Sequence, residues 1–190
     1  MKFIKYFLLV LVVLLAITLV WGALLPNQAT VTQSVVTHAD PQRVFYLMND
    51  LTHWSAWSEW RKADPKAKYT YAQNARGIGA WMAWEGKKMG KGKLSLTDIV
   101  PNRRLEYSME FLEPRTLVSN GFIELNSTNG QLTITWQEVV ELPNLISRLF
   151  FTLGNQKEQM TQDLQKNMLN MAGMAERFGP VPAYIIRREE

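Results

Sequence analysis

The chain opens on an unbroken apolar run and then changes period. From Tyr6 to Leu25 it reads YFLLVLVVLLAITLVWGALL, without a charged residue. Twenty residues rising about 1.5 Å each span about 30 Å, the thickness of a bilayer's hydrocarbon core. The run predicts a transmembrane helix over 6–25, with Trp21 near one interface and Pro26 as its stop. Residues 30–38, TVTQSVVTH, are β-branched and predict a strand. Asp40-Pro41 supplies an N-cap and a proline at the first helical position. Val44, Phe45, Leu47 and Met48 then give a short helix its apolar face up to about Asn49. A further helical turn is expected over Leu51 to Trp57, then a polar loop over 59–66.

From residue 67 the pattern alternates with period two, the mark of half-buried antiparallel strands. Ala67, Tyr69 and Tyr71 alternate with Lys68 and Thr70. Residues 80–85 and 91–100 predict two more strands, the second placing Leu94 and Leu96 on one face. Leu105, Tyr107, Met109 and Phe111 alternate with Glu106, Ser108 and Glu110 in the clearest strand of the chain. Residues 117–125 follow, then the Asn129-Gly130 turn signal, then Leu132, Ile134 and Trp136. Finally the period lengthens. Met160, Leu164, Met168, Met171, Ala175 and Phe178 recur at helical steps up to Gly179-Pro180. One strand, short helices, six strands and a long helix predict an α+β fold, a curved antiparallel sheet with a helix across it. The expected division is an anchor over 1–28, a folded domain over 29–179 and a tail over 180–190.

Charge adds orientation to this picture. Lys2 and Lys5 precede the apolar run, and no Lys or Arg follows until Arg43. The positive-inside rule then puts the N-terminus in the cytoplasm and the domain outside, in the periplasm if the cell is Gram-negative. A cleaved signal peptide is the competing reading. Its apolar region would be shorter, and Leu24-Leu25-Pro26 is a poor cleavage site. The linker from Asn27 to Thr30 reaches about 14 Å at most, so the domain must sit on the membrane.

Composition removes several classes. Without Lys2 and Lys5, 19 of the 21 basic residues face 17 acidic ones, too small an excess for a nucleic-acid-binding surface. With no cysteine there is no disulfide, thiol nucleophile or zinc–thiolate site. Two histidines, His38 and His53, argue against a multi-histidine metal centre. No cofactor motif is legible. Seven Trp and nine Met call for a large, soft interior or a ligand cavity.

Several constellations have two readings. Trp54, Trp57 and Trp60 either wall a cavity mouth or pin short helices to the sheet. Trp84, Tyr107, Met109 and Trp136 face inward with Met168 and Met171, lining a pocket or filling a core. Glu138 shares a face with Trp136, and Asp98 with Leu94 and Leu96; either carboxyl is a candidate acid–base group or a solvated strand end. His53 is an acid–base candidate or a capping residue. The basic stretch 86–93, GKKMGKGK, lacks the spacing of a phosphate-binding loop. It is a solvated turn or a contact for anionic headgroups. The apolar stretch 143–153, PNLISRLFFTL, is a lid, an interfacial helix or core.

Asp40-Pro41-Gln42-Arg43-Val44-Phe45, then Asp50-Leu51-Thr52-His53-Trp54-Ser55-Ala56-Trp57-Ser58, then Gly77-Ile78-Gly79-Ala80 and Trp84-Glu85-Gly86 together carry a likeness. In order and spacing they resemble the START-like SRPBCC superfamily of polyketide cyclases/dehydrases and lipid transport proteins, over roughly residues 30–178. One departure is Ser58-Glu59, where family members often have Ser-Pro. The resemblance implies a helix-grip fold: seven antiparallel strands wrapped around a long C-terminal helix, with a deep apolar cavity between. It leaves function open, because the superfamily holds binders, transporters and enzymes.

Three functions stay in play. The first is a membrane-anchored module binding a hydrophobic small molecule or lipid through Trp54, Trp57, Trp84, Tyr107, Met109, Trp136, Met168 and Met171. The second is a cyclase/dehydratase-type enzyme using Glu138, Asp98 or His53, which two titratable groups converging in the cavity would favour. The third is a tethered protein-interaction module, which an exposed apolar patch at Phe150 and Phe151 without a pocket would favour.

Overall fold

Where the apolar run ends, the chain turns at once into the sheet. The computed structural model describes residues 2–177. The expected helix end at Phe178 and Gly179-Pro180 and the tail over 180–190 lie outside the described residues. Helix α1 (Lys2–Leu24) is followed by β1 (Gln28–Thr37), α2 (Pro41–Asn49), a 3-10 turn (Leu51–His53), α3 (Trp54–Trp57) and α4 (Glu59–Ala63). Then come β2 (Lys68–Tyr71), β3 (Trp81–Gly86), β4 (Gly90–Val100), β5 (Arg104–Glu113), β6 (Leu117–Thr128) and β7 (Gln131–Glu141). Helices α5 (Leu145–Leu153) and α6 (Gln156–Arg177) complete the described chain.

The strands form one antiparallel sheet in the order β1-β7-β6-β5-β4-β3-β2. Consecutive strands from β2 to β7 pair as hairpins, and β1 closes the far side on β7. Inward positions alternate along β5 and β7 as the period-two pattern expects: Leu105, Tyr107 and Met109, then Leu132, Ile134 and Trp136, are buried. Helix α6 lies on that face and contributes Leu164, Met168, Met171 and Ala175 to the core.

Two expectations need correction. The polar loop over 59–66 contains α4, because two side chains of the distant α6 hold it. Asn167 Oδ1 accepts from the Glu59 N–H at 2.8 Å, and Asn170 Nδ2 donates to Trp57 O at 3.0 Å and to Glu59 Oε1 at 2.7 Å. Asp98 does not share a face with Leu94 and Leu96. A register shift between Leu96 and Asp98 turns Asp98 outward, where it accepts from the Ile99 N–H.

The Asp50-to-His53 stretch owes its shape to one ion pair. Asp50 Oδ1 caps the turn by accepting from the Thr52 N–H at 3.0 Å, while Oδ2 accepts from Arg76 Nε at 2.7 Å. Arg76 thereby ties this turn to the Gly77–Gly79 loop, where Asn49 Oδ1 accepts from the Gly77 N–H. Burial pushes the Asp50 carboxyl up, but hydrogen bonds from His53, Thr52 and Arg76 together hold it well below the usual carboxylate range. Such a group contributes stability above its unfolded value of 3.8, and that contribution disappears as pH falls through the folded value. Arg76→Ala is expected to cost about 2–3 kcal/mol near neutral pH, since a buried carboxylate loses its charged partner. It should also flatten the acid limb of stability, measured by urea denaturation between pH 3 and pH 7.

Candidate functional site

The eight residues expected to line a cavity lie buried in the interior. Trp136 meets Trp54 and Trp57 edge-on, each at 5.9 Å between ring centroids, and Tyr107 at 6.3 Å. Trp54 Nε1 donates to Met48 O at 2.8 Å and Trp57 Nε1 to Leu47 O at 3.3 Å, so both indoles are fixed to α2. Trp84 packs against Trp60 and Phe111. Met168 and Met171 join the same cluster from α6.

Open space lies beside this cluster. A pocket of about 280 Å³ is bounded by Met109 and Phe111 of β5, Leu117 of β6, Glu138 and Val140 of β7, and Trp60. Phe150 and Phe151 of α5 roof it, and Met160, Asp163, Leu164 and Asn167 of α6 form the opposite wall. Of the eight expected residues only Met109 lines it. Of the acid–base candidates Glu138 lines it, whereas Asp98 and His53 do not.

Glu138 is the chemically distinctive group. Three positions form a row across adjacent strands, Tyr107 on β5, Gly121 on β6 and Glu138 on β7. A Cβ at Gly121 would collide with the Tyr107 hydroxyl, so only glycine lets that ring lie across the row. Trp136 Nε1 donates to the Tyr107 hydroxyl at 2.7 Å, leaving the phenol proton to bond Glu138. The Ser119 hydroxyl donates to Glu138 from the other side. The side chain is almost fully buried, at 6% exposure. Burial pushes its carboxyl up, and the bonds from Ser119 and Tyr107 offset part of that rise. Burial also raises Asp163, with Lys166 lowering and Glu59 raising it. Sequence reasoning missed Ser119, Gly121, Asp163 and Asn167. Two of them leave a signal, a glycine inside a strand and an asparagine on the apolar stripe of α6.

A raised carboxyl makes a sign-specific prediction. A folded value above the unfolded 4.5 means stability is greatest below that value and falls as pH rises through the folded one. Glu138→Gln keeps the carbonyl acceptor and removes the charge. Its melting temperature near neutral pH should exceed the wild type's by about 2–4 °C, the shift that about 1 kcal/mol produces in a chain of this size. Melts followed by tryptophan fluorescence at pH 5 and pH 8 check this; the gain should be larger at the higher pH.

The pocket sits at the α1 end of the sheet. The pairings place the start of β1, the end of β7, the start of β6 and the end of β5 together there. Helix α5, the roof, packs directly on α1: a Cβ at Gly22 would come within 2.5 Å of Leu145 Cδ1 and 3.1 Å of Leu149. Arg148 Nε donates to Leu142 O at 3.2 Å, and its Nη1 donates to Ala23 O and Leu25 O at 3.4 and 3.5 Å. A cation thus satisfies carbonyls left open at the end of α1. Around α5, Leu145 and Leu149 face α1, Phe151 faces the pocket, and Ile146, Phe150 and Leu153 are exposed. The guanidinium of Arg115 lies 4.4 Å from the Phe150 ring centroid.

The basic hairpin over 86–93 is at this same end. Asp64 pins it, accepting from the Lys88 N–H at 2.7 Å, which leads the effects holding its carboxyl low. Lys66, Lys68, Lys87 and Lys88 are exposed there. Among the described residues no group of His, Asp or Glu has the arrangement of a metal site.

A sequence profile described as "Polyketide cyclase / dehydrase and lipid transport" matches residues 28–176. A comparison with curated proteins gives no match. Among solved structures, protein CV1439 from Chromobacterium violaceum is 18% identical, covering 80% of this chain and 98% of its own at a TM-score of 0.56. The hypothetical protein jhp0584 from Helicobacter pylori is 13% identical, covering 77% of this chain and 88% of its own at 0.60. Ara h 8.0201 is 12% identical, covering 80% of this chain and 99% of its own at 0.57. These likenesses show a shared Bet v1-like fold.

Proposed function

From the premise that the chain belongs to the polyketide cyclase/dehydrase and lipid transport family, we propose that it is a membrane-anchored binder of a hydrophobic small molecule or lipid. Residues 1–28 serve as the anchor and residues 29–179 as the binding domain, on the outer face of the membrane. The single observation that carries this reading is the position of the pocket. Its roof, α5, is packed on the end of the apolar helix, so the mouth is held at bilayer level. Helix α1 has 22 residues from Phe3 to Leu24 long and apolar enough to cross a membrane, and almost none of that surface is covered by the domain.

The surroundings support the same orientation. Ile146, Phe150 and Leu153 recur at helical spacing between the α1-facing and pocket-facing sides of α5. That exposed stripe fits an interfacial helix with a lipid-soluble ligand passing beside it. Lysines at this end would meet anionic headgroups, each adding about 1 kcal/mol near the surface. Retention of α1 as an anchor is supported by Gly22 and Arg148, whose contacts serve α1 and would be lost on cleavage. A filled core of Trp54, Trp57 and Trp136 lies beside the pocket and stiffens the sheet and helix that line it.

A photoactivatable acyl-diazirine lipid tests the proposal in the full chain, reconstituted in phosphatidylcholine nanodiscs. Label is expected on pocket residues Met109 and Met160 as well as on α1. Labelling confined to α1 would sink the binding role.

A second reading has one observation in its favour: Glu138 and Asp163 line the same pocket, both with raised carboxyls. Such a pair is able to serve acid–base chemistry on a bound ligand. Conversion of the captured ligand by the wild type and not by Glu138→Gln would favour the enzyme over the binder.

A further inference from the structure

Positive charge is unevenly spread over the chain. A cleft of about 680 Å³ opens between residues 64–68 and the β3–β4 hairpin. Its lining sets Lys66, Lys68, Lys87, Lys88 and Lys91 against Asp64, Glu85 and Glu113, an excess of two. The whole chain carries +4, and Lys2 and Lys5 in α1 account for two of that. Everything outside α1 and this cleft therefore sums to zero. The carboxylates of the cleft are already engaged. Glu85 and Glu113 each lie 3.5 Å from Lys91. Asp64 is buried and accepts from the Lys88 and Met89 N–H groups at 2.7 and 3.4 Å. Lys66, Lys68, Lys87 and Lys88 are exposed and in no ion pair among the described residues. A turn fixed by a buried carboxylate thus presents unpaired cations, and that preorganisation lowers the cost of receiving an anion.

The cleft's place in the fold says which anion. A Cβ at Gly90 would collide with Glu113 O, so the hairpin rests directly on the β5–β6 turn. Across that turn Arg115 lies over Phe150 of α5, and α5 packs on α1. Hairpin, turn, α5 and α1 form one continuous rim. In the strand order, β1 and β7 hold the anchor side, and β2, β3 and β4 border the cleft. The pocket, lined from β5, β6 and β7, falls between them. We propose that this cleft is a second membrane contact, receiving the phosphate headgroup of an anionic phospholipid from the bilayer that α1 spans. This rests on the reading of α1 as a retained anchor, and it adds an orientation. With an attachment on either side, the domain stands on this end and the pocket mouth faces the bilayer. Lysine meets phosphate as a point charge, so the contact needs proximity more than fixed geometry. Helix α1 supplies the proximity. A short tether makes headgroup binding intramolecular, at an effective concentration in the millimolar range, so a cleft too weak to hold a free anion is still filled.

The test uses the full chain with methyl-13C methionine in phosphatidylcholine nanodiscs, in which phosphatidylglycerol replaces phosphatidylcholine stepwise. The reporter is the methyl resonance of Met89, beside Lys88 in the hairpin turn. It should move saturably with phosphatidylglycerol and return when high salt screens the exposed charges. Met48, next to the Asn49–Gly77 contact at the other end of the sheet, should stay in place. Lys66→Glu with Lys87→Glu, one from each side of the cleft, should raise the phosphatidylglycerol needed for half the shift at least about tenfold, about 1.4 kcal/mol. Arg103→Glu, at the β4–β5 turn, should change nothing. If the double variant fails to fold, the lipid and salt series on the wild type decides alone. No movement of Met89, in a chain that stays in the discs, would overturn the contact and leave the anchor standing. An equal shift with millimolar glycerol phosphate in phosphatidylcholine discs would assign the cleft to a soluble anion and overturn the membrane contact. A chain that leaves phosphatidylcholine discs would overturn the anchor on which the proposal rests.

Discussion

Trp136→Ala is expected to lower the stability of the domain by about 3–5 kcal/mol, the range for truncating a buried tryptophan. Trp136 is fully buried, and its ring meets Trp54, Trp57 and Tyr107 edge-on. Truncation removes three aromatic contacts and opens a cavity bounded by rigid rings, which cannot collapse to fill it. It also takes the indole N–H from the Tyr107 hydroxyl, and so loosens the phenol that bonds Glu138. Domains of this size are stable by about 5–15 kcal/mol, so a large share of the total disappears. Urea denaturation followed by the fluorescence of the remaining tryptophans measures the loss. Trp136→Phe keeps a ring and should lose less than half as much. A loss below about 1 kcal/mol for the alanine variant would mean that the aromatic cluster is not the rigid centre of the core.

Val140→Trp is expected to abolish ligand capture while leaving the fold intact. Val140 points from β7 into the pocket beneath Phe151, and the added ring has the roughly 280 Å³ of open space to occupy. Labelling of Met109 and Met160 by the diazirine lipid should fall by at least about 100-fold, a loss of about 2.7 kcal/mol in affinity. Stability is the internal control. Overpacking a filled core costs about 1–3 kcal/mol, whereas filling a real void costs nothing or stabilises. A variant that unfolds readily and has no void to fill would contradict the pocket. One that folds normally and still captures ligand would place binding elsewhere.

Much of the architecture was legible because half-buried antiparallel strands carry period two openly. Leu105, Tyr107 and Met109, and Leu132, Ile134 and Trp136, could be assigned to the inner face without any partner strand in view. The resemblance carried by Asp50 to Ser58 and Gly77 to Ala80 supplied the helix-grip arrangement, which the family match and the sheet order show. What failed was tertiary. Helix α4 exists because Asn167 and Asn170 reach across from α6, a dependence that no local pattern in 59–66 records. Asp98 faces solvent because of a bulge, and one inserted residue inverts every later assignment on a strand.

The open space was the least legible feature. Large inward side chains mark where an interior is, but whether they fill it depends on how elements from different parts of the chain meet. Here Trp54, Trp57, Trp136 and Tyr107 fill the middle of the grip. The void falls towards α5, where Val140 and Leu142 are smaller and α5 spans the gap. Glu138 was visible as a carboxyl on an apolar strand face. Its partners were not, since Ser119 comes from β6 and Tyr107 from β5, and the Tyr107 ring reaches Glu138 only across Gly121.

Native mass spectrometry of the full chain released from nanodiscs is the most direct test of a membrane-level pocket that holds an apolar ligand. The expected spectrum shows the chain with one lipophilic adduct per molecule, lost in Val140→Trp and retained in Ile146→Ser on the outer face of α5. A wild-type spectrum with no adduct beyond that of Val140→Trp, recorded under conditions that preserve the fold, would contradict it.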